Sequence, residues 1–517
     1  MSEVSYSAIL PILIVFGGAV LGVLVEAFLP RRRRHGVQLS LAAGSLVAAF
    51  VALLLRSKNY QGVTLSGALV IDGPALMLQG VLILLGLIGI LIMAERFTGR
   101  TADAFTPSGA SVPGSKHEGL AERLGSTTEV FPLALFSVAG MMMFPAAGDL
   151  LTMFVALEVL SLPLYVLTGL ARRRRLLSQE AALKYFLLGS FSSAFFLFGA
   201  SLLYGFAGSV NLSVIAEAIG TATGRDGLLV PGVLFILVGL LFKVGAVPFH
   251  SWTPDVYLGA PTPVTGFMAA CTKAAAFGAL LRVTYVGVAG SRWDWQAAVW
   301  VVAALTMIVG AVLAVAQLKK DHDADLKRLL AYSSIAHAGF ILVGLVAFDR
   351  SGVSSVLFYL VAYGFATTAA FGIITIVRLR DDGSEVSILA RWAGLGRRSP
   401  AVAGAFAFLL MAFAGIPLTS GFTAKFAVFA AAVAHAGAPG VVLAVIGVLS
   451  SAVTAYVYFR IIVVMFFTDP ADDSVVVWPA SVATTAAIAV GLLVTLGLGV
   501  FPAPVLDLAT NSALFLR

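Results

Sequence analysis

Apolar residues in this chain run in long, nearly unbroken blocks separated by short polar connections. A helix needs about 20 apolar residues to cross a bilayer. That criterion predicts about fourteen spans, at approximately 6–29, 37–55, 74–95, 130–147, 149–171, 180–206, 228–250, 262–287, 295–316, 326–348, 352–377, 400–433, 439–467 and 477–503. Composition agrees: the 517 residues are 60% hydrophobic and 11% charged, against about 25% charged in soluble domains. The expected fold class is an all-α polytopic membrane protein with nearly all of its mass in lipid.

Charge in the connections alternates. The odd-numbered ones hold 21 of the 33 lysines and arginines, beginning with Arg31–Arg34, and the even-numbered ones with the C-terminus hold 6. Basic connections stay in the cytoplasm, so both termini are expected outside, on the periplasmic side of a cell inner (plasma) membrane. The net charge of +7 thus reflects membrane orientation and not nucleic-acid binding. The first span is not a secretory signal, because its basic run follows it. Phe97–Glu129, the longest polar stretch, has Gly, Ser, Pro and mixed charge without apolar period, and is expected to be a cytoplasmic loop with little order.

Two spans carry internal breakers: Leu228–Leu258, with Gly245, Pro248 and Pro254, and Pro400–Ala434, with Gly415, Pro417 and Gly421. Internal proline breaks or kinks a helix, and broken helices at matching places in two halves of a transporter point to inverted repeats around a midplane ion site. The broken spans are the seventh and twelfth, which implies two inverted five-helix repeats, spans 4–8 and 9–13. The expected organisation is helices 1–3 over residues 1–96, the loop at 97–129, a first repeat at 130–287, a second at 295–467 and helix 14 at 477–517.

Five ionisable residues lie inside these apolar stretches: Glu158, Lys184, Lys243, Lys273 and Lys425. Charge in hydrocarbon is costly, and such residues face a bundle interior and mark ion paths. Glu158 and Lys184, on adjacent spans, are expected to pair; the bland alternative is a static pair that fixes packing, or for Lys184 snorkelling to the membrane edge. Lys243 sits beside the first break, where it either carries a proton or caps freed carbonyls. A buried lysine holds its proton more or less tightly as a carboxylate approaches or leaves, which is what a switchable carrier requires. Lys273 would pass the proton onward and Lys425, in the second broken span, would be the exit or the link to the next subunit. His250 and His337 suit a relay; bis-histidine haem ligation is disfavoured because His250 lies near a membrane face and His337 near mid-span, and the bland alternative is a satisfied buried histidine. His35, His117, His322 and His435 fall in loops or at span ends. Ser192, Ser193, Thr272, Ser333 and Ser334 are hydroxyls that hold water chains or helix contacts. Arg282 and Arg460, near span ends, read as anchors.

The lone cysteine, Cys271, excludes an internal disulfide, a four-cysteine iron–sulfur site and a c-type haem attachment. Neither a Walker A motif nor G-x-G-x-x-G is present. No cofactor or metal is expected on this chain.

Several segments resemble the antiporter-like membrane subunits of respiratory NADH:quinone oxidoreductase (complex I), most closely the N type. Leu157-Glu-Val-Leu-Ser-Leu-Pro163 is similar to that family's fifth-helix motif and Leu183-Lys-Tyr-Phe-Leu-Leu-Gly189 to its sixth. Phe242-Lys-Val-Gly-Ala-Val-Pro-Phe-His-Ser-Trp-Thr-Pro-Asp-Val-Tyr257 is similar to the seventh. Leu326–His337 and Ala414–Phe426 are similar to the tenth and twelfth. The resemblance implies that Glu158 and Lys184 are a coupled pair, Lys243 the central proton carrier, Lys273 the connecting lysine and Lys425 the terminal one. Lysine at 425, where the M type has glutamate, and the absence of a long lateral helix after the fourteenth span favour N. The implied function is a proton-translocating subunit driven by electron transfer elsewhere. Flavin and iron–sulfur clusters would lie on partner subunits, with quinone as substrate of the complex and with an M-type and small K- and J-type subunits as membrane partners. The second reading is a subunit of a multi-subunit cation/proton antiporter; the third is a non-conducting assembly scaffold.

Overall fold

A computed structural model describes the chain except for residues 1–4, 57–60, 98–102, 110–111, 113–114, 118–126, 222–225, 320–323, 382, 471–473 and 517. Part of the 97–129 loop, together with Lys58, Arg100, Arg123, Arg225, Lys320, His322 and Arg517, lies outside the described residues. The chain begins with α1 (Tyr6–Phe28) and α2 (Arg31–Arg56), then a hairpin of β1 (Gly62–Thr64) and β2 (Leu69–Ile71), then α3 (Gly73–Met93). There follow α4 (Val130–Met143), α5 (Leu150–Thr168), α6 (Arg175–Ala207), α7 (Leu212–Thr221) and α8 (Asp226–Val244). The span of α8 resumes as α9 (Trp252–Gly259) and leads to α10 (Thr262–Arg282), α11 (Arg292–Leu318), α12 (Leu326–Ala347) and α13 (Arg350–Ile376). After β3 (Val377–Leu379) come α14 (Leu395–Arg398), α15 (Pro400–Ala414), α16 (Ser420–His435) and α17 (Gly437–Phe467). β4 (Val475–Val477), antiparallel to β3, precedes α18 (Val482–Val500) and α19 (Ala503–Asn511).

Among the described residues, 12 helices are long and apolar enough to cross a membrane, so the chain is a multi-pass membrane protein. The predicted spans at 130–147 and 400–433 fall short of that length: one is the short helix α4 with its following turn, the other the pair α15 and α16. Helix α6 starts earlier than predicted because Arg175 is part of the fold. Its guanidinium donates to Thr106 Oγ1 at 2.7 Å and to the Ser108 carbonyl at 2.9 Å.

The apolar surface is turned outward. Leu21, Phe28, Leu449 and Leu493 are exposed, whereas Lys243, Lys273 and Lys425 are buried. Lipid makes the first arrangement free of cost, and only protein or water can accommodate the second. Helices α10, α12 and α13 form the innermost layer, with α10 packed between α3 and α13. Helix α10 is fixed by Arg282, whose guanidinium pairs with Asp72 at 2.7 Å and donates to the Pro145 carbonyl at 2.5 Å. Both partners are essentially inaccessible, so removing either would strand a charge, at a cost of about 3–5 kcal/mol. Helix starts are capped by carboxylates: Asp72 for α3, Asp149 for α5, Asp325 for α12 and Asp349 for α13. Each such cap contributes about 1 kcal/mol. The close approach of α4 to α5 needs Gly140, where a Cβ would lie 2.5 Å from Leu160 N; that of α11 to α12 needs Gly310 in the same way, against Ala336 N.

The expectation of little order in the Phe97–Glu129 loop fails for its described first half. Thr106 N donates to the Leu170 carbonyl, Arg172 N to the Ala104 carbonyl, and Asp103 pairs with Arg172 at 2.6 Å. Backbone pairing and arginine contacts dock this polar strip onto the α5–α6 connection, an arrangement that composition does not encode.

Candidate functional site

Glu158, Ser161 and Tyr165 follow one another at three and four residues along α5 and so share one face of the helix. That face meets the end of α8. Lys243 Nζ donates to Ser161 Oγ at 2.8 Å and to Tyr165 OH at 3.4 Å, and lies 5.4 and 5.5 Å from the ring centres of Tyr165 and Tyr185. Glu158 is close enough for its charge to act on Lys243 and Tyr165, yet no ion pair joins it to Lys243 among the described residues. Its Oε1 is buried without a hydrogen bond among the described residues.

The break is closed by other groups. Gly245 takes φ +75°, open to glycine without penalty. Trp252 Nε1 donates to the Phe242 carbonyl at 2.9 Å, and Val247 N donates to Thr306 Oγ1 at 2.9 Å. Lys243 is therefore not the cap of this break; among the described residues its hydrogen bonds all go to side chains.

Lys184 does not pair with Glu158. It bonds Glu180 at 2.6 Å and Asp255 at 2.8 Å, and its side chain is 42% exposed. The reason is placement: Glu180 is one helical turn before it on the same face of α6, and α9 brings Asp255 to that face. Asp255 Oδ1 also accepts from Arg328 at 2.5 Å. The neighbouring side chain, Tyr185, points inward instead and stacks on Trp252, ring centres 4.8 Å apart.

From Trp252 the polar line continues through the centre. Trp252 touches Tyr257, whose hydroxyl lies 3.4 Å from Ser334 Oγ. Lys273 Nζ donates to the Ser334 carbonyl at 2.5 Å and to its Oγ at 2.6 Å, and sits over the Tyr363 ring at 5.1 Å. His337, one turn beyond Ser333 on α12, bonds Tyr359 OH through Nδ1 at 2.7 Å and faces Tyr458 OH through Nε2 at 3.5 Å. Tyr458 OH in turn lies 2.5 Å from Ser333 Oγ. The charges of Lys273 and Lys425 both act on His337. Lys425 Nζ, at the second break, donates to the Phe413 and Ala414 carbonyls at 2.8 and 2.9 Å and to Ser451 Oγ at 2.7 Å.

The structure thus brings the buried Lys243, Lys273, His337 and Lys425 into one file, with half-buried Glu158 at its start. It leaves Lys184 on the flank and His250 in the first break, where Nδ1 has no hydrogen bond among the described residues. The intervening tyrosines, 165, 257, 359, 363 and 458, together with Ser161, Ser451 and Asp255, were not among the sequence candidates. Ser161 and Tyr165 had a usable signal in their spacing from Glu158; the others come from helices distant in sequence.

The model of the family described as NADH:quinone oxidoreductase/Mrp antiporter, TM, matches residues 147–454. The chain is 56% identical to NADH-quinone oxidoreductase subunit N of Rhodococcus opacus over 535 residues, covering 100% of this chain and 97% of that protein. It is 57% identical to the protein of the same name from Beutenbergia cavernae over 533 residues, covering 99% and 98%. Among solved structures, a chain of respiratory complex I from Thermus thermophilus with bound aureothin is 32% identical, with a TM-score of 0.76 over 97% of this chain and 99% of that one. A chain of an Mrp complex from Dietzia has the same TM-score at 22% identity, over 98% and 97%, and shows the shared fold.

Proposed function

The chain belongs to the NADH:quinone oxidoreductase/Mrp antiporter transmembrane family, and from that premise we propose that it is the N-type proton-translocating membrane subunit of an NADH:quinone oxidoreductase. Electron transfer from NADH to quinone, with its flavin and iron–sulfur clusters, belongs to other subunits, and M-, K- and J-type membrane subunits are its neighbours. The chain lies in the cell (plasma) membrane with both termini outside. Its fourteen-span reading counts α4 and the α15–α16 pair as crossings. Two inverted repeats are supported by the matching breaks at Gly245 and Gly415, both with positive φ, and by the matching close approaches at Gly140 and Gly310.

The observation that carries this reading is the file of buried lysines joined by hydroxyl groups. An ammonium in such a site is tolerated only while neighbours solvate it. Lys243 is held by two hydroxyls and faces a carboxylate with a free oxygen. When Glu158 approaches, the charged lysine is favoured; when Glu158 is drawn away, the ammonium gives its proton up. The proton passes to Lys273 and then, past His337, to Lys425. Conformational change on the electron-transfer subunits supplies the displacement.

Purification in mild detergent through a tag on this chain tests the assignment. Co-purifying NADH oxidation, flavin and iron–sulfur content is the expected result. A preparation holding only small membrane partners and no redox centres would give the chain to a cation/proton antiporter complex instead.

A further inference from the structure

A cavity of about 300 Å³ lies where the docked Asp103–Ala104 strip, the α5–α6 connection, the end of α9, the start of α12 and the segment after β3 meet. It shares no residue with the lysine file. All these segments belong to odd-numbered connections or border them, so the cavity opens on the strongly basic face of the chain. Its described lining has six basic side chains, Arg172, Arg173, Arg174, Lys327, Arg378 and Arg391, against two acidic ones, Asp103 and Glu385.

Acids offset only part of this charge, Asp325 among them, whose Oδ2 lies 3.8 Å from Arg174 Nη1. Asp103 is held by Arg172 at 2.6 Å. Glu385 gives one oxygen to Thr262 Oγ1 at 2.7 Å, and its other oxygen stays 3.8 Å from Arg378 Nη2, beyond hydrogen-bond reach. Arg378 is only 3% exposed, and that Nη2 has no hydrogen-bond partner among the described residues. Lys327, equally buried, donates to the Ala260 carbonyl at 2.6 Å. Buried cations in excess are costly unless an anion joins them. Guanidinium groups match the oxygens of phosphate, and a cavity-lining guanidinium with an unbonded N–H has a donor to spare.

We propose that this cavity is an anion site for a phosphate group, carried either by an anionic membrane lipid or by a soluble phosphate, with Arg378 and Lys327 at its floor and Arg391 at its rim. The site gives the 97–129 loop a role, because Asp103 and Ala104 form one wall. It stands on the cavity alone and is independent of the transport reading. A zwitterionic headgroup fits poorly, since its quaternary ammonium would meet the arginines.

The test uses the assembled complex with Ala104→Cys in a Cys271→Ser background, and measures the rate of maleimide labelling at the cavity wall. Three conditions are compared: nanodiscs of phosphatidylcholine alone, the same with phosphatidylglycerol, and phosphatidylcholine nanodiscs with inorganic phosphate. Protection by phosphatidylglycerol identifies a lipid headgroup, and saturable protection by inorganic phosphate identifies a soluble anion. In either case Arg391→Gln, an exposed position that the fold tolerates, raises the half-protecting concentration about tenfold, the loss of one charge-assisted hydrogen bond. Arg378→Gln abolishes protection if the complex assembles. Labelling that neither addition slows, or protection that Arg391→Gln leaves unchanged, overturns the proposal.

Discussion

At the first break, between α8 and α9, the Phe242 carbonyl accepts from both Gly245 N and the Trp252 indole, and Lys243 is left to bond Ser161 and Tyr165. At the second, between α15 and α16, Lys425 itself takes the Phe413 and Ala414 carbonyls, with Ser451 as its one side-chain partner. Each break uses a left-handed glycine, Gly245 and Gly415, to turn the chain. The difference lies in what the ammonium is bonded to. A carbonyl accepts but never donates a proton, whereas a hydroxyl does both. Lys243 is free of backbone duty and has a carboxylate in electrical reach; Lys425 is part of the structure that holds its helix broken. One lysine is built to switch, and the other is tied to the scaffold as well as to the path.

The sharpest break of this comparison is Lys243→Ala. It removes the central carrier without stranding a backbone group, so the complex assembles while proton pumping falls about a hundredfold or more, the scale of losing a positioned proton-transfer group. Pumping by inside-out vesicles and assembly on a native gel are read together. Normal pumping stoichiometry would sink the role given to Lys243.

Lys425→Ala separates the two sites from the other side. It leaves the Phe413 carbonyl at a buried break without its lysine donor, at a cost of about 1–3 kcal/mol, while the Ala414 carbonyl keeps Ser451 Oγ at 3.2 Å, so thermal unfolding moves down along with the pumping rate. Lys425→Gln restores a neutral donor to the carbonyls. It recovers most of the stability and none of the pumping; recovery of both would mean that Lys425 is only a cap.

Smaller effects follow from the hydroxyls. Ser161→Ala removes the shorter of the two bonds to Lys243, a hydrogen bond to a charged group worth about 1.5–3 kcal/mol, and slows coupled turnover accordingly. Tyr165→Phe removes the longer bond, keeps the ring beneath the ammonium and has the lesser effect. Equal rates in the two variants would contradict the geometry around Lys243.

Much of this arrangement was legible before the fold. The glycine and proline pairs at 245/248 and 415/417 marked both breaks, and the buried lysines stood out because their spans are otherwise almost free of charge, Arg282 near the end of the Lys273 span excepted. Spacing along one helix also carried information, since Ser161 and Tyr165 lie on the Glu158 face. What the sequence hid was tertiary. Tyr257, Tyr363 and Tyr458 reach the file from three different helices, and no local pattern says that they converge. Nor does one say that Trp252 reaches a carbonyl of the first break and a lysine those of the second. The 97–129 loop misled through composition: a polar Gly/Ser/Pro strip reads as loose, but backbone pairing at Ala104–Thr106 and the arginines of the next connection fix it.

The Glu158–Lys184 pair is where sequence reasoning and structure part, and it yields the smallest expected effect. Adjacent spans and opposite charges favoured pairing, yet helical phase decides. Lys184 is one turn from Glu180 and faces α9, while Tyr185 occupies the inward direction. The first broken helix is thereby tied outward by Asp255 to both α6 and α12, through Lys184 and Arg328; among the described residues the second half of the other broken helix has a single ion-pair contact, His435–Asp349 at its far end, 3.3 Å long. Because Arg328 keeps Asp255 paired when Lys184 is lost, and because half-exposed pairs are worth about 1 kcal/mol or less, Lys184→Ala lowers stability only slightly and leaves pumping close to normal. Pumping reduced as far as in Lys243→Ala would show that Lys184 swings to Glu158 during turnover, and that the coupled pair forms in a conformation other than this one.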